Sequence, residues 1–184
     1  VLDGGLGADT MAGGADNDVY RVGDAGDVVN ETAPGSGGTD RVETTLAAYT
    51  LGTNVENLTY VGAGNFVGTG NTLGNTIIGG ALADTLSGLG GNDTYTVTAG
   101  DVIIEAGGGG TDTAQSADTY TLGANVENLT LTGGAAVNGT GNAAANIITG
   151  NAATNQLFGG AGNDTLNGGG GADYPRAGAS GAQS

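Results

Sequence analysis

A nonapeptide recurs along the chain, with an acid or its amide at the sixth position and an apolar residue at the eighth. Clear copies are GGLGADTMA from Gly4, GGADNDVYR from Gly13, GGALADTLS from Gly79, GLGGNDTYT from Gly88, GGAGNDTLN from Gly159 and GGGGADYPR from Gly168. Weaker copies, with Asn at the sixth position, begin at Gly70, Gly141 and Gly150. A unit this short cannot bury its apolar residue alone, so neighbouring units must stack.

A longer repeat is superimposed on the short one. YTLGTNVENLTY from Tyr49 returns as YTLGANVENLTL from Tyr120, and GDVVNE from Gly26 returns as GDVIIE from Gly100. The chain therefore holds about two copies of one module, in which a β-rich insert follows a nonapeptide run. We expect one continuous solenoid. Its predicted parts are residues 1–176 as a whole, runs at 4–30, 70–96 and 141–176, inserts at 31–69 and 97–140, and a frayed tail at 177–184.

The spacing of nine predicts very short strands joined by tight turns. The eighth residue points inward, and its neighbours point outward because side chains alternate along a strand. Glycine at positions one, two and four supplies backbone angles closed to other residues. Two units make one coil of 18 residues, and we expect an all-β parallel roll of roughly ten coils. The turn glycines, also expected to present carbonyl ligands, are Gly4, Gly5, Gly7, Gly13, Gly14, Gly79, Gly80, Gly88, Gly91, Gly159, Gly160, Gly162, Gly168, Gly169 and Gly171.

Stacked coils bring sixth-position side chains 18 residues apart into contact. The expected neighbours are Asp9 with Asp27, Asn75 with Asp93, Asn146 with Asp164, and Asn155 with Asp173, together with Asp84 and Asp101, which are one residue short of that spacing. Asp18 and Asp93 would face Asp40 and Asp112 across longer loops. Facing carboxylates repel each other unless a cation lies between them. Oxygen ligands without thiol or imidazole favour calcium over magnesium. The sequence thus predicts several Ca²⁺ ions, with weak or empty sites where Asn75, Asn146 and Asn155 replace aspartate.

The energetics of a single unit also favour bound metal. One buried leucine contributes roughly 2–3 kcal/mol, whereas ordering each backbone residue costs about 1 kcal/mol or more. We expect the glycine-rich runs to depend on calcium, with cooperative affinity of about 10⁻⁴–10⁻³ M. The inserts would then supply the only substantial apolar packing, from Val55, Leu58, Tyr60, Val126, Leu129 and Leu131.

The units GGLGADTMA, GGALADTLS and GGAGNDTLN resemble the nonapeptides of the RTX (repeats-in-toxin) family, the haemolysin-type calcium-binding repeats. The resemblance implies a right-handed parallel β-roll with Ca²⁺ in its turns, export through a type I channel, and folding on calcium outside the cell. NVENLT and GTGN in the inserts resemble the spacers of long secreted RTX proteins. Departures from the pattern are Asp16, Leu82, Leu89 and Pro175, and the tail RAGASGAQS does not resemble the family's export signal.

Charge and composition argue against several other functions. Nineteen acids face three arginines, for a net charge of −16, so neither nucleic acid nor an anionic membrane surface is an expected partner. No segment is long and apolar enough to insert into a membrane. The absence of His, Cys and Lys removes most catalytic bases and nucleophiles. A two-carboxylate glycosidase is formally open, but most acids already follow the repeats, and the matched pair Glu56 and Glu127 is expected to be structural.

We therefore expect a calcium-binding structural segment of a secreted or cell-surface protein, acting as a rigid extension or assembly module. Val1-Leu2-Asp3 correspond to positions seven to nine of a unit, so copies of the chain are candidate partners stacking end to end. One alternative is an appendage of a secreted lipase, protease or epimerase. Another is ice binding through outward threonines, namely Thr10, Thr85, Thr94 and Thr165.

Overall fold

A computed structural model describes residues 1–32 and 35–178, in which every regular element is a β-strand. The strands are β1 Leu2–Asp3, β2 Thr10–Met11, β3 Val19–Val22, β4 Val28–Val29, β5 Arg41–Thr44, β6 Ala48–Thr50, β7 Asn57–Tyr60, β8 Val67–Thr69, β9 Thr76–Ile78, β10 Thr85–Ser87, β11 Thr94–Val97, β12 Val102–Ile103, β13 Thr113–Ser116, β14 Tyr120–Thr121, β15 Asn128–Leu131, β16 Gly139–Thr140, β17 Ile147–Thr149, β18 Gln156–Phe158, β19 Thr165–Asn167 and β20 Tyr174–Arg176.

Odd and even strands form opposite walls of a parallel solenoid. The odd strands make one ten-stranded sheet in the order β1-β3-β5-β7-β9-β11-β13-β15-β17-β19. The even strands form sheets of two, four and four strands: β2-β4, β12-β10-β8-β6 and β14-β16-β18-β20. Every pairing is parallel, and each strand pairs with the strand two places along the chain. The predicted all-β roll of about ten coils is confirmed.

The nonapeptide runs keep the predicted register of 18 residues. Leu2 pairs with Tyr20, Ile77 with Tyr95, and Ile148 with Leu166. The inserts add rungs to the same sheet, with different spacing: Tyr20 pairs with Val42, Val42 with Leu58, and Ala114 with Leu129. Turn length therefore varies between coils, while the sheet passes through runs and inserts without interruption.

The prediction that the inserts hold the only substantial apolar packing is wrong. Insert residues such as Leu58 and Leu129 are fully buried, but most eighth-position residues of the nonapeptides are buried as well. One continuous core joins both kinds of coil, because each inward side chain packs on those of the coils above and below. The eighth-position members of this core are Met11, Tyr20, Ile77, Leu86, Tyr95, Ile148 and Leu157.

Glycine serves two different purposes in the turns. Positions two and four take positive φ in several units, as in Gly5 and Gly7, and the non-glycine residues Asp16 and Leu89 adopt it too. The first-position glycines do not adopt positive φ, so the prediction that they supply special backbone angles is wrong. A Cβ at Gly88 would instead overlap the carboxylate of the sixth-position residue of the same unit. The same holds for Gly13, Gly79, Gly159 and Gly168, and at Gly70, Gly141 and Gly150 the Cβ would overlap the side-chain amide of the sixth-position asparagine.

The C-terminal end of the roll is more open than its middle. Leu166 is partly buried, and Tyr174 is 62% exposed in the last strand. Of the predicted frayed tail, residues 177 and 178 have no regular structure and the other six lie outside the described residues. Across the described part of the chain, no helix has the length and apolarity needed to cross a membrane.

Candidate metal centre

A row of acidic and amide side chains lies at the N-terminal ends of the strands in the ten-stranded sheet, and we call it the acidic ladder. Each member immediately precedes an odd strand, so the parallel pairing stacks the members one coil apart. The members follow the order Asp-Asp-Glu-Asn twice before the row ends on aspartate. They are Asp18, Asp40, Glu56, Asn75, Asp93, Asp112, Glu127, Asn146 and Asp164. The four-coil period of the ladder is the structural form of the long sequence repeat.

Hydrogen bonds link the ladder from coil to coil. The backbone N–H of Asn75 donates to Oδ1 of Asp93 at 2.7 Å, and that of Asp93 donates to Oδ1 of Asp112 at 2.8 Å. Asp18 and Asp40 are joined in the same way at 2.8 Å. The expected pairing across the longer loops is therefore present.

The ladder also includes the two matched glutamates. Oε2 of Glu56 accepts from the N–H of Asp40 at 2.7 Å, and Oε2 of Glu127 accepts from the N–H of Asp112 at 2.8 Å. Asn146 donates its N–H to Oδ1 of Asp164 at 3.0 Å, as predicted. In each case one carboxylate oxygen is bound to backbone, and the second oxygen is left to other partners.

The other edge of the roll repeats the pattern with fewer members. The N–H groups of Asp9, Asp84 and Asn155 donate to Oδ1 of Asp27, Asp101 and Asp173 at 3.2, 2.9 and 2.9 Å, respectively. The five pairs predicted at or near a spacing of 18 are thus all brought together.

Some of these aspartates are already satisfied by backbone donors. Oδ2 of Asp27 accepts from the N–H groups of Gly23 and Asp24. Hydrogen bonds from Asp24, Asp9 and Gly23 lower the pKa of Asp27 against a smaller opposing effect of burial. Oδ2 of Asp101 accepts from the backbone N–H of Thr98 at 2.6 Å. These two turns are closed by the chain itself.

The asparagine turns are closed in a different way. Oδ1 of Asn75 accepts from the N–H of Asn71 at 2.7 Å, and its Nδ2 donates to the carbonyl oxygens of Val55 and Glu56 at 3.3 and 3.2 Å. Asn146 makes the equivalent bonds to the N–H of Asn142 and to the carbonyls of Val126 and Glu127. The amide –NH₂ thus binds carbonyls of the preceding coil, where a carboxylate offers no donor.

Three ladder aspartates leave an oxygen without a partner. Oδ2 of Asp40, Asp93 and Asp164 is buried and accepts no hydrogen bond from the described residues. A buried carboxylate oxygen without a donor is costly, so it indicates a missing ligand. An oxygen-only donor set fits Ca²⁺, which accepts carboxylates and backbone carbonyls together. The residues present therefore fit the calcium ions that the sequence predicts.

Asp93 and Asp112 also meet a third carboxylate, from Glu105. All three side chains are buried, and each offers an oxygen within 4.8 Å of the others. At that separation a pair of like charges repels by about 4 kcal/mol at an effective dielectric constant near 20. The three carboxylates cannot all carry a negative charge in the folded chain unless a cation or a proton lies between them.

The pKa values of Asp93 and Asp112 reflect their burial first and the neighbouring charges second. Burial, followed by the charges of Asp112 and Glu105, raises the pKa of Asp93 to about 6, although the N–H of Asn75 opposes the shift. Burial likewise raises the pKa of Asp112, with the charges of Glu105 and Glu127 adding to it. Asp93 thus retains its proton in mild acid and becomes charged toward neutral pH.

Sequence reasoning missed Glu105 and its counterpart Glu31, which lie outside the nonapeptides. The available signal was the long repeat, since GDVVNE ends in Glu31 and GDVIIE ends in Glu105. Glu31 is 1% exposed, and burial together with the charge of Asp40 raises its pKa. The Ser36 hydroxyl and the Gly13 amide lie near enough to oppose this rise, yet neither reaches hydrogen-bonding geometry.

Comparison with known proteins yields one match. A family model described as RTX calcium-binding nonapeptide repeat, in four copies, matches residues 1–29, 69–104 and 140–175. These ranges coincide closely with the predicted nonapeptide runs and cover more than half of the chain. No curated protein and no solved structure matches it.

Proposed function

The chain belongs to the RTX calcium-binding nonapeptide repeat family, and we propose that it is a rigid segment of a secreted or cell-surface protein that folds on calcium outside the cell. Calcium would act as a structural ion between coils. Its binding free energy would then contribute directly to the free energy of folding. An unliganded chain with a net charge of −16 would resist stacking its acidic turns, which suits a protein that stays unfolded until it meets calcium.

The observation that carries this proposal is the contrast between aspartate and asparagine turns. Oδ2 of Asp93 is buried without a donor, whereas Asn75 fills the corresponding place with its own –NH₂. We infer that aspartate turns such as those of Asp40, Asp93 and Asp164 hold ions. Coils built on asparagine would keep their shape without one.

The backbone-closed aspartates rank lower as ligands in this proposal. Asp27, Asp84 and Asp101 already accept two or more backbone N–H groups, so an ion there must replace bonds that exist. The other candidate ligands lie in or beside the same stacked turns: Asp9, Asp18, Asp112 and Asp173.

Circular dichroism with and without a chelator tests the proposal. We expect a strong β-signal in millimolar Ca²⁺, a large loss in EDTA, and full recovery when calcium is restored. Mg²⁺ at the same concentration should restore much less, because it tolerates irregular cages poorly. An identical β-signal in calcium and in EDTA would contradict calcium-dependent folding.

Assembly into longer rods is a proposal that rests on the free sheet edges. Strands β1 and β19 are the outer strands of the ten-stranded sheet, and each has one neighbour there. Unpaired strand edges are ready to add a further strand. Small-angle scattering in calcium over a range of protein concentrations tests this. A particle length that grows with concentration supports end-to-end stacking of copies, and a constant monomer length excludes it.

The enzyme-appendage alternative makes the same calcium prediction but places the activity elsewhere. Family membership identifies the repeats as a structural calcium-binding module, so any lipase, protease or epimerase activity would come from another part of a larger protein. Assays of this chain for those activities should therefore be negative under either reading. The sequence of the full gene product that contains this segment distinguishes the structural role from the enzyme appendage.

Ice binding gains some support from the outward face of the ten-stranded sheet. Thr76, Thr94 and Thr113 occupy consecutive rungs of one outward row. The row is interrupted by Asn57 and Asn128 on either side, which makes a regular ice-matching array short. Thermal hysteresis measured in calcium tests this candidate, and its absence would leave the structural role alone.

A further inference from the structure

We propose that Glu105 and Glu31, which lie outside the nonapeptide repeats, each complete a buried three-carboxylate calcium site at the boundary between a nonapeptide run and an insert. The first site consists of Asp93, Glu105 and Asp112, and the second, its equivalent one module earlier, of Asp18, Glu31 and Asp40. This inference rests on the proposed calcium-dependent function. It adds a ligand that the repeat motif does not contain.

The strongest observation is the set of unpartnered oxygens aimed into the first site. Oδ2 of Asp93 and Oε2 of Glu105 are buried and accept no hydrogen bond within residues 1–32 and 35–178. Asp93, Glu105 and Asp112 are 1%, 8% and 1% exposed, with oxygens within 4.8 Å of one another. These carboxylates are too enclosed for bulk water to solvate their charges.

The other oxygen of Glu105 is fixed in place by the chain. Oε1 accepts from the N–H of Gly88 at 2.7 Å and from the hydroxyl of Tyr95. These donors fix the carboxylate through Oε1 and leave Oε2 buried without a donor from the described residues. Glu105 is thus held in one orientation by the chain, as a metal ligand must be.

Gly109 leaves room beside this oxygen. A Cβ at Gly109 would lie 2.8 Å from the carbonyl oxygen of Leu89 and 3.3 Å from Oε2 of Glu105. A backbone carbonyl and a carboxylate oxygen therefore converge where a side chain is missing. Mixed carbonyl and carboxylate ligands of this kind are typical of calcium sites.

The second site is related to the first but more open, because Asp18 is only partly buried and Glu31 lacks the hydrogen bonds that hold Glu105. Both carboxylate oxygens of Glu31 and Oδ2 of Asp40 are buried without a hydrogen-bond partner among the described residues. Oδ1 of Asp40 accepts from the N–H of Asp18, as Oδ1 of Asp112 does from Asp93 in the first site. Tyr20 occupies the place of Tyr95, with its hydroxyl oxygen accepting from the N–H of Gly13 at 2.7 Å.

The two glutamates share a role that the rest of the ladder does not need. Each follows an even strand, β4 or β12, in the coil where the turn departs from the nonapeptide pattern. In that turn the glutamate carboxylate supplies a ligand that the regular nonapeptide repeat does not provide. One such site in each module would tie the nonapeptide run to the insert that follows it.

Counting bound ions on the full chain tests the inference. We would prepare Glu105→Gln, Glu31→Gln and the double variant, and measure bound calcium by equilibrium dialysis. Glu43→Gln is the matched control, because Glu43 faces outward and pairs with Arg21 and Arg41. We expect each single variant to bind one ion fewer than the wild type, the double variant two fewer, and Glu43→Gln the same number.

The outcomes separate this inference from the proposed function. If the wild type binds no calcium, the proposed function fails and takes this inference with it. If the wild type binds calcium and the glutamine variants bind just as many ions with unchanged affinity, only the glutamate sites are excluded.

If a glutamine variant does not fold in calcium, a second measurement replaces the ion count. Terbium is bound to the wild type and to Tyr95→Phe, a variant that retains all three carboxylates. Tyrosine-excited terbium emission per bound ion should fall relative to the wild type, because Tyr95 contacts the site directly. Emission equal to that of the wild type would place the ion elsewhere and overturn the inference.

Discussion

The backbone N–H of Asn75 donates to Oδ1 of Asp93 at 2.7 Å, although 18 residues separate them in sequence. This bond joins two kinds of turn. Asn75 uses its –NH₂ to bind two carbonyls of the preceding coil, while Asp93 keeps an oxygen with no donor. Asn75 carries an amide where Asp93 carries a carboxylate, and in our proposal that difference distinguishes a turn that the chain closes from one that an ion closes.

Replacing Asn75 with aspartate should therefore convert a self-closed turn into a calcium-dependent one. In EDTA the variant loses the three hydrogen bonds that Asn75 Nδ2 donates and buries a carboxylate beside carbonyl oxygens. We expect its free energy of unfolding to fall by about 1–3 kcal/mol. In saturating calcium the loss should be largely recovered, with one more ion bound. Urea unfolding in both conditions measures the change, with an excluded osmolyte such as sucrose added so that the sample in EDTA starts folded.

Asn92→Asp is the matched control for that substitution. Asn92 is exposed, and its Oδ1 accepts from the N–H of Thr111, a role that aspartate can keep. It should shift stability by less than about 0.5 kcal/mol in either condition. An Asn75→Asp variant that behaves like this control would show that the amide contacts do not substitute for an ion.

The raised pKa of Asp93 makes the calcium-free protein more stable in mild acid. Its folded pKa is about 6 and its ordinary value is 3.8, so folding takes up a proton between these values. The stabilisation is fully present below the unfolded pKa and is lost as pH rises through about 6. In EDTA with the same stabilising osmolyte, we expect the urea midpoint to decrease from pH 4.5 to pH 7. Asp27, whose pKa is lowered, acts oppositely but only in stronger acid.

Calcium should reverse this slope, because protons and calcium compete for the same oxygens. In saturating calcium the midpoint should rise from pH 4.5 to pH 7. Asp93→Asn should flatten the slope in EDTA without abolishing it, since the pKa values of Asp112 and Glu31 are raised as well. A midpoint in EDTA that climbs with pH across this range would contradict the assignment.

The core of the nonapeptide runs is substantial enough to be measured. Leu86 is fully buried in the continuous core, so Leu86→Ala should cost about 2–5 kcal/mol through lost burial and the remaining cavity. Leu82, in the same unit, is 48% exposed, and Leu82→Ala should cost less than about 0.5 kcal/mol. Thermal unfolding in calcium compares them. Equal effects would mean that ions alone hold these coils.

Periodicity was enough to predict the fold and most of the stacked pairs. The position of the acid in each unit predicted that Asp84 would meet Asp101 and that Asn146 would meet Asp164, and both pairs form. The count of one apolar residue per unit led to a wrong estimate of the core. A side chain such as Tyr95 packs against the coils above and below it, and energetic reasoning about one isolated unit omits that burial.

The glutamates could not be derived from the nonapeptide pattern. Glu105 lies two residues after a short strand, in a turn whose length departs from the repeat. Its approach to Asp93 depends on the path of that turn, which spacing alone does not determine. The purpose of first-position glycines was hidden for a similar reason, because the crowding at Gly88 comes from how the Asp93 side chain folds back.

That crowding yields the last prediction, for Gly88→Ala. An added Cβ would overlap the Asp93 carboxylate and crowd the Tyr95 hydroxyl, so the side chains must move apart. We expect a loss of about 1–3 kcal/mol from overpacking and a weaker calcium site. Gly90→Ala is the control, since its Cβ would meet no atom closer than 3.8 Å. Calcium titration followed by circular dichroism compares them. A Gly88→Ala midpoint equal to that of Gly90→Ala would show that the carboxylate need not fold back against this glycine to bind its ion.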